Sequence, residues 1–567
     1  MYILGLHNDE DSGVCLLKNG KIIDVVNEER ISRKKLQSGF PKLSINYILK
    51  KNKITLKDIN HFAYGWHGKQ NDFSNYTSQV IKRLKYCDLK QPEILNLILE
   101  RVKMEAKRDN TIFFKFKEII KKLKIPEEKI HFFDHHNTHA WAAYSCSPFK
   151  NALVFTMDAR GDLKSASVST ANSKKGLVEL ENNLSFDSLG FLYGQITHYL
   201  GYKPHRHEGK ITGLAAYGNP KKTSKIFENL IKWDGNKILS NLGYYRPFFT
   251  NLSSKLKKDL KKHSREDIAA GLQNHCEKLV VNYVKYWIKK TYKNKKVNVC
   301  LAGGLFANVR INQKVKEIKQ VKDLFVFPHM GDGGLPIGAA CHLNFKITKK
   351  TKVDLNHVYY GQEYNNNFIR KELKKYSKKI SFTYYKNIEN QVVLLLKRKM
   401  VIGLFQGKME FGPRALGSRS IIFNALDGTS NDWLNKRLHR TEFMPFAPVT
   451  IAELAQDCYE NINSNNLCAK FMTQTFNCKK SFIQKHPAVV HIDGTARPQL
   501  IKKKFNKIYY NIVNKYCSET GEKALINTSF NQHEEPIVCS PKDAINSLIG
   551  NNVDVLAIGN FIVKKND

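Results

Sequence analysis

Short apolar runs separated by turn residues dominate the hydrophobic pattern at the start of the chain. Residues 2–6 and 13–17 are apolar, and the dipeptide Asn19-Gly20 separates the second run from a third at 21–26. An Asn-Gly pair between two such runs is a strong signal for a tight β-hairpin turn. The pattern therefore predicts that the chain opens with strands joined by hairpins.

Two later regions have helical spacing instead. Leu and Ile recur among charged residues through 69–124, and 266–292 has the pattern of one long amphipathic helix. Apolar runs at 152–157 and 297–301 lead directly into glycine-containing loops, and a further helical pattern follows at 307–315. Units of strand, glycine loop and helix predict an α/β fold.

The periodicity fades in a Lys- and Asn-rich stretch at 348–376, and a second α/β pattern begins near residue 388. We therefore predict a first domain over 1–350 with a helical insert near 69–124, a linker over 351–387 and a second domain over 388–567. A chain of 567 residues is long enough for at least two hydrophobic cores. No internal repeat of fixed period is visible.

The charge balance is strongly basic. Lys and Arg number 92 against 51 Asp and Glu, a formal net charge of +41. Such an excess is typical of proteins that bind nucleic acid, a membrane surface or phosphate-bearing substrates. The lysine runs are scattered and are not interleaved with aromatic residues, which favours solvated faces. Nucleic acid is therefore not expected as a partner.

Neither membrane insertion nor secretion is predicted. The longest apolar stretch, 392–404, is interrupted by Lys397, Arg398 and Lys399. The N-terminal residues lack the basic segment of a signal peptide. Eleven widely spaced cysteines without a C-x-x-C pair indicate free thiols in a reducing compartment. We expect a cytoplasmic protein with no membrane partner.

A histidine cluster is the sharpest local signal for chemistry. His135 and His139 are four residues apart, which on a helix places both imidazoles on one face. Two imidazoles in this arrangement can share one divalent metal if carboxylates complete the site. Asp158 and Asp332, each in a loop after an apolar run, are the candidate carboxylates. The alternative is that both histidines make ordinary hydrogen bonds.

Glycine loops and arginine loops suggest phosphate binding. The glycine loops at 158–162, 302–305 and 331–334 could bring backbone N–H groups close to phosphate. None matches a Walker A or G-x-G-x-x-G motif, so each alone is equally typical of a tight turn. Three in one α/β domain are what an actin- or hexokinase-type nucleotide cleft would need. Arginines at 406–419 and 493–497 suit phosphate oxygens, or salt bridges with groups such as Glu410.

About a dozen stretches, in order, resemble the NodU/CmcH-type O-carbamoyltransferases over nearly the whole chain. They include DSGVCLLKNGKI, NEERISRKK, DHHNTHAWAAY, MDARGD, HEGKITGLAAYG, LAGGLFANVRIN, GDGGLPIGAA, EFGPRALGSRSI, MPFAPV, HIDGTARPQ and NTSFNQHEEPIV. The chain is identified from them as a member of that family.

The resemblance implies a fold and an activity. The fold would be an actin-like (ASKHA) domain related to TsaD, followed by a YrdC-like α/β domain. In the family, the second domain converts carbamoyl phosphate and ATP into carbamoyl-adenylate and pyrophosphate. The first domain then transfers the carbamoyl group to a hydroxyl of a sugar, glycan or natural product. ATP with Mg²⁺ and a divalent metal, usually iron, would be the cofactors, and a homodimer is compatible with the family.

The resemblance also assigns residues by their place in the matching stretches. The metal ligands would be His135, His139, Asp158 and Asp332. The nucleotide or adenylate would contact Gly303, Gly304, Asn308, Arg160 and Lys210. Carbamoyl phosphate would contact Arg414, Arg419, Arg440, Arg497 and Ser529. Apart from the resemblance, the acceptor is expected to contact the loop 29–35, which includes Lys35, and the helical insert.

This chain departs from the family pattern at three places, one of which is Glu534-Glu535-Pro536, where the family has Gly-Glu-Pro after the NTSFN stretch. Many members have a His-Asp pair in the first loop, where this chain has Glu10-Asp11. If that histidine is the acceptor's base in the family, either Glu10 or His7 replaces it here or the role lies elsewhere. Leu438 and Met444 replace a lysine and an arginine of the family's phosphate pocket. Two alternatives remain open: a tRNA-modifying carbamoyl- or threonylcarbamoyl-transferase, and a non-catalytic binding protein with a decayed donor pocket.

Overall fold

The computed structural model describes residues 1–66, 73–83, 93–293, 295–439 and 444–566. The chain divides into two compact units. The first contains Met1–Ile23 and Ser38–Asp354, and the second contains Asp24–Gln37 and Leu355–Asp567. The short helix α1 (Glu28–Ser32) therefore belongs to the second unit although it lies near the N-terminus.

The three N-terminal apolar runs form strands, as the pattern predicted. The first sheet consists of β1 (Tyr2–His7), β2 (Gly13–Lys18), β3 (Lys21–Asn27), β4 (His61–Tyr64) and β5 (Ile130–Phe132). Its strand order is β3-β2-β1-β4-β5, with β1 antiparallel to β2 and parallel to β4.

A second sheet repeats this arrangement. It consists of β6 (Asn151–Gly161), β7 (Lys164–Asn172), β8 (Gly176–Leu184), β11 (Val297–Ala302) and β12 (Val321–Val326). Its order is β12-β11-β6-β7-β8, in which β6, β7 and β8 form an antiparallel meander and β11 and β12 add in parallel. Two sheets with the same order and the same strand directions make the first unit an actin-like (ASKHA) α/β fold.

Helices and one small hairpin complete the first unit. The hairpin is β9 (Ile231–Trp233) and β10 (Ile238–Ser240). The helices are α2 (Lys42–Asn52), α3 (Phe73–Arg83), α4 (Glu93–Lys122), α5 (His135–Cys146), α6 (Leu189–Tyr199), α7 (Glu208–Leu214), α8 (Ser224–Leu230), α9 (Ser254–Leu260), α10 (Arg265–Tyr292), α11 (Val309–Lys316) and α12 (Leu335–Thr348). The predicted helical insert corresponds to α3 and α4; residues 67–72 and 84–92 lie outside the described part of the chain.

Two central helices join the sheets of the first unit. Helix α5 packs on β6 and β11, helix α12 packs on β1 and β4, and the two helices pack on each other. A glycine makes this crossing close: a Cβ at Gly338 would lie 2.1 Å from the carbonyl oxygen of Thr138. The first turn of α5 is thereby held at the end of both sheets.

The second unit is built on one mixed sheet of eight strands. The strands are β13 (Ile380–Tyr384), β14 (Ile402–Phe405), β15 (Arg419–Asn424), β16 (Ala447–Ile451), β19 (Gln499–Ile501), β20 (Leu525–Ser529), β21 (Val555–Ile558) and β22 (Phe561–Lys565), and a separate pair is β17 (Phe476–Asn477) and β18 (Thr495–Ala496). The sheet order is β13-β22-β21-β14-β15-β20-β16-β19.

Helices cover both faces of this sheet. They are α13 (Asn366–Lys374), α14 (Ile388–Lys397), α15 (Ser430–Arg437), α16 (Ala455–Cys458), α17 (Leu467–Lys470), α18 (Lys480–Lys485), α19 (Lys507–Thr520) and α20 (Pro541–Ile549). Alternate residues of β15 enter opposite cores: Ile421 and Phe423 one, Ile422 the other. The second unit is therefore a mixed α/β layer structure with two hydrophobic cores.

The segment expected to be a linker, 351–387, contains regular structure. It includes α13 and the edge strand β13, which pairs antiparallel with β22. Ile369 and Leu373 bury one face of α13. Because the helix buries only these two side chains and its third large apolar residue, Phe368, is exposed, the amphipathic spacing is easily overlooked in the sequence.

Two further expectations concern membranes and thiols. Among the described residues, no helix combines the length and apolar character needed to cross a bilayer. Ten cysteines lie in the described part of the chain, and all are buried free thiols, as their spacing predicted.

Candidate functional site

Helix α5 positions the two histidines of the predicted metal site. Its N-cap, Asp134, accepts a hydrogen bond from the Asn137 backbone N–H at 2.8 Å, which fixes where the helix begins. His135 and His139 then lie one turn apart on the same face, both fully buried. Their ring centroids are 4.7 Å apart and the rings are nearly perpendicular. The predicted helical spacing is thus present.

Two carboxylates from different elements face these imidazoles. Asp158 lies in β6, and Asp332 lies in a short 3-10 turn just before α12. The Nε2 atom of His139 is 3.2 Å from Asp158 Oδ2 and 3.4 Å from Asp332 Oδ1. The corresponding distances from His135 Nε2 are 3.9 and 3.6 Å. One ligand atom from each residue lies within 4.8 Å of all the others.

These four residues fit a divalent metal. The Nε2 atoms of both histidines are buried, and neither makes a well-directed hydrogen bond to a described residue. Leaving such a nitrogen unsatisfied costs about 1–3 kcal/mol. Two imidazole nitrogens and two carboxylate oxygens form a donor set that several first-row transition metals accept. Asp158 is also oriented by the Gly304 N–H, which donates to Oδ2 at 3.1 Å.

The electrostatics of the cluster favour a cation. Burial alone lowers the pKa of His139, but the carboxylates of Asp158 and Asp332 outweigh it and raise that pKa to about 9. Burial favours the neutral form of Asp158, yet the two imidazoles hold its pKa well below the usual range. The carboxylates therefore stabilise positive charge at the point where the four side chains converge.

His136 has a structural role and is not one of the four clustered residues. Its Nδ1 atom lies 2.8 Å from the Thr156 hydroxyl. Burial and the neighbouring His135 lower its pKa to about 3. It is therefore a neutral imidazole that joins α5 to β6.

The first loop approaches the same cluster. His7, at the end of β1, is fully buried and its Nε2 lies 3.8 Å from Asp332 Oδ2. The same nitrogen donates to the carbonyl oxygen of Glu10 at 3.1 Å. The two residues predicted as the acceptor's base thus lie together beside the metal ligands, with Glu10 more exposed than His7.

Each acidic side chain of this loop has a basic partner from another segment. The pairs are Asp9 with Arg108 at 2.7 Å, Glu10 with His205 at 3.0 Å and Asp11 with His329 at 3.1 Å. His205 was not among the predicted site residues. The only signal for it in the sequence is its position in the HRHEGK stretch, because its partner Glu10 is 195 residues away.

The predicted adenylate residues divide into two groups. Gly303 and Gly304 lie at the metal cluster: Gly303 has φ +99°, and a Cβ there would meet the Met157 carbonyl oxygen at 2.2 Å. Asn308 lies one short turn further on, where its side-chain oxygen caps α11. Its amide group donates to Gln273 Oε1 at 2.7 Å.

Arg160 and Lys210 are enclosed by the first unit. Arg160 is buried and pairs with Glu105 and with Asp109, the latter at 3.1 Å, both on the insert helix α4. Lys210 is buried in α7, with its ammonium group 5.7 Å from the ring centroid of Tyr202. The structure thus uses Arg160 to attach the insert to the strand that carries Asp158.

The arginines of the second unit differ in whether their guanidinium groups could bind a ligand. Arg419 is fully buried, and its guanidinium donates to the carbonyl oxygens of Gln406, Gly407, Ser418 and Gln362 at 2.9–3.2 Å. It also stacks 3.6 Å above the Phe405 ring. Arg419 therefore holds loops together, and its main donors are not free for a ligand. Arg440 lies outside the described residues.

Three other predicted phosphate residues lie on segments that meet. The side chain of Asn527, in β20, donates to the Ala415 carbonyl at 3.0 Å and to Gln499 Oε1 at 2.7 Å. Arg414 precedes Ala415, Arg497 lies two residues before Gln499, and Ser529 lies two residues after Asn527. Arg414, Arg497 and Ser529 are all partly exposed.

The departures from the family pattern have structural consequences. Leu438 is fully buried in the second unit's core, while Met444 is partly exposed. Arg437, a neighbour that could compensate for a lost lysine, pairs with Asp554 at 2.8 Å. Lys35 is partly exposed in the N-terminal segment of the second unit.

Comparison with known proteins finds family models and relatives that match this chain along most of its length. The family model described as carbamoyltransferase N-terminus matches residues 2–341, and the one described as carbamoyltransferase C-terminus matches 393–565. The uncharacterized protein MJ1051 of Methanocaldococcus jannaschii is 32% identical over 99% of both chains. Nodulation protein NolNO of Sinorhizobium fredii is 29% identical over 98% of this chain and 79% of its own.

Nodulation protein U of Sinorhizobium fredii is 23% identical, with 94% of both chains covered. Because the matches run along both units, the chain belongs to the carbamoyltransferase family, in its NodU/CmcH type, and is an enzyme that transfers a carbamoyl group.

Proposed function

We propose that this carbamoyltransferase makes carbamoyl-adenylate from carbamoyl phosphate and ATP, and transfers the carbamoyl group to a hydroxyl of a sugar, glycan or natural product. The observation that carries the proposal is the cluster of His135, His139, Asp158 and Asp332 beside the Gly303–Gly304 loop. It joins a metal donor set to a glycine loop within an actin-like fold.

The proposed reaction has three steps. Water releases phosphate from carbamoyl phosphate, which leaves carbamate. A carbamate oxygen then attacks the α-phosphorus of ATP, and pyrophosphate leaves. Finally the acceptor oxygen attacks the carbamoyl carbon, the bond to the AMP oxygen breaks, and the hydroxyl proton passes to a base. Carbamate and the adenylate both decompose in water. A protein that shields them from water therefore delivers more of the carbamoyl group to the acceptor.

The four side chains of the cluster would hold the metal in the first unit. A divalent metal there would supply a Lewis acid for carbamoyl or phosphate oxygens. Iron is the metal of the resembling family, and the donor set would also accept other divalent ions. The backbone N–H groups at Gly303 and Gly304 would approach the adenylate phosphate, where the absence of Cβ atoms permits close contact.

Adenylate formation would take place in the second unit, which we propose to be YrdC-like. Arg414, Arg497 and Ser529 lie on segments tied together by Asn527, and their partly exposed side chains would bind phosphate oxygens. Arg440 would join them. ATP would bring Mg²⁺ to neutralise its phosphates.

The acceptor would be anionic, such as a nucleotide-sugar. The supporting feature is the basic insert, in which α4 carries Lys and Arg along its exposed face. Lys35 would add a further cation. The ten buried free thiols fit a reducing compartment, which supports a cytoplasmic location.

The donor half of the reaction can be tested without knowing the acceptor. Purified protein with ATP and carbamoyl phosphate should release pyrophosphate, and omission of carbamoyl phosphate should abolish the release. His139→Ala should bind less metal, because one of four ligands is lost, yet keep pyrophosphate release since it changes only the first unit. Metal content and pyrophosphate are measured on the same samples. If the folded, metal-loaded wild type releases none, the proposed donor chemistry is wrong.

A further inference from the structure

The three pairs of the first loop differ in what they can do with a proton. Arg108, the partner of Asp9, keeps its charge throughout the physiological range and cannot act as a base. The Asp11–His329 pair is enclosed, with side chains 14% and 7% exposed. The Glu10–His205 pair is open to solvent, with side chains 33% and 36% exposed. It is the pair among the three that can meet a substrate hydroxyl.

The geometry of this pair fixes the imidazole. Glu10 Oε2 lies 3.0 Å from Nδ1 of His205, which leaves Nε2 as the second ring nitrogen. The ring lies 4.0 Å from the ring of Phe249, centroid to centroid. The His205 backbone N–H donates to Glu208 Oε1 at 2.6 Å. The side chain is thus held by a carboxylate, an aromatic ring and its own backbone.

The backbone at His205 has an uncommon conformation. Its φ of +67° lies in the left-handed region, which is costly for a residue other than glycine. Such outliers persist where the surrounding structure over-determines them, and they cluster at functional sites. At His205 this backbone conformation coincides with the contact between its imidazole and Glu10.

The pair is connected to the candidate metal site by two contacts. The Glu10 carbonyl accepts a hydrogen bond from His7 Nε2 at 3.1 Å, and that nitrogen is 3.8 Å from Asp332 Oδ2. The loop that carries Glu10 therefore also borders the metal ligands. Glu10 thus links His205 to the loop that lies beside the candidate metal site.

We propose that Glu10 and His205 form a carboxylate–imidazole dyad that activates the acceptor, a role that rests on the function proposed above. Nε2 of His205 takes the hydroxyl proton while the acceptor oxygen bonds to the carbamoyl carbon. The bond from that carbon to the AMP oxygen breaks, and its electron pair leaves with AMP. The proton then passes from Nε2 to water. Glu10 keeps Nδ1 protonated and stabilises the imidazolium.

The charges around His205 agree with this role. Burial alone would lower the pKa of His205, but the hydrogen bond and charge of Glu10 raise it, with help from Glu208. Arg108 opposes the shift. A raised pKa makes the neutral imidazole a stronger base, as in other carboxylate–histidine pairs. The rate of transfer should accordingly rise with pH through the titration of this group.

The dyad also accounts for a departure from the family pattern. The first loop of this chain has Glu10 where many relatives have histidine. A carboxylate at this position needs an imidazole from elsewhere to move a proton near neutral pH. The segment before α7 supplies it. The loop and the HRHEGK stretch would therefore be functionally coupled in this chain.

The test uses four proteins, full length and metal-loaded, with methanol as a minimal hydroxyl acceptor. They are the wild type, His205→Asn, Glu10→Gln and the control His198→Asn, which changes an exposed histidine on α6. Asn tolerates a left-handed φ better than most residues, so His205→Asn should fold. Pyrophosphate, AMP and methyl carbamate are measured across the range in which an imidazole titrates, roughly pH 5 to 9.

All four proteins should release pyrophosphate in the first turnover, because this step precedes transfer to the acceptor, and the control His198→Asn should match the wild type in every measurement. His205→Asn should form AMP and methyl carbamate about 100-fold more slowly, with no imidazole limb in the pH profile. Glu10→Gln should move that limb to lower pH, because the carboxylate no longer stabilises the imidazolium. The ring signals of His205 in NMR, assigned by their loss in His205→Asn, should show the same downward pKa shift.

Two outcomes would overturn the proposal. If His205→Asn transfers the carbamoyl group at the wild-type rate with the wild-type pH profile, His205 is not the base. If Glu10→Gln leaves the titration of His205 unchanged, the two side chains do not act as a dyad. Absence of pyrophosphate in the wild type is a different result: it would remove the function on which the dyad rests.

Discussion

Leu438 shows how one side chain changes the chemistry available at a position. It lies in the core of the second unit with none of its surface exposed, at the place where the family pattern has a lysine. An ammonium group there would be buried among apolar side chains. Under the proposed function, the donor pocket would therefore depend on Arg414, Arg497 and their neighbours.

Restoring the family's lysine should consequently harm the protein. Leu438→Lys should lower the free energy of unfolding by about 2–5 kcal/mol, from lost packing and a buried charge, without increasing pyrophosphate release. Met444→Arg, at a partly exposed position, is the matched control and should unfold as the wild type does. Urea denaturation followed by circular dichroism measures both. Faster pyrophosphate release from a fully stable Leu438→Lys would refute this account of the pocket.

Helices α5 and α12 are the elements on which the metal cluster depends. The first carries His135 and His139, and the second begins just after Asp332. Their close crossing exists because Gly338 has no side chain: a Cβ there would lie 2.1 Å from a backbone oxygen of α5. Backbone atoms cannot move aside as a flexible side chain can, so any larger residue must separate the helices.

Gly338→Ala should therefore disturb the metal site without touching a ligand. We expect a loss of about 1–3 kcal/mol of stability, typical of overpacking, together with a lower metal content after dialysis. Gly209→Ala on α7 is the matched control, because a Cβ there meets no atom within 4 Å. It should gain up to about 1 kcal/mol from the higher helix propensity of alanine. Equal metal content in the two variants would contradict the role assigned to the crossing.

Local elements were the part of the fold that the sequence predicted well. The hairpin strands, the long helix α10 and the strand–loop–helix unit at β11 all follow from apolar periodicity and turn residues. The duplication of the sheet in the first unit was not predicted. It is a property of strand pairing between distant segments, and no period in the sequence records it.

In the candidate site, too, local features could be predicted from the sequence and contacts between distant segments could not. The spacing of His135 and His139 predicted a shared face, and the structure brings Asp158 and Asp332 to it. The Glu10–His205 pair could not be predicted, since nothing local in either segment indicates the other. Whether an arginine can bind a ligand is likewise a tertiary property, because the Arg419 guanidinium donates to four backbone carbonyls, three of which lie in two segments distant from it in the sequence.

At the scale of the whole molecule, the proposed function requires one chain to carry out two half-reactions. The first unit holds the candidate metal donor set and would supply the acceptor base, and the second would supply the arginines that bind phosphate. If transfer needs the first unit and adenylate formation does not, loss of a metal ligand should trap the intermediate.

The most direct test is mass spectrometry of carbamoyl-AMP in rapidly quenched reactions of the wild type and His139→Ala with ATP and carbamoyl phosphate. Carbamoyl-AMP should appear in both proteins and accumulate in His139→Ala, because the carbamoyl group can no longer be passed on. If both proteins are folded and neither yields carbamoyl-AMP, the carbamoyl group does not travel as an adenylate and the central claim is wrong.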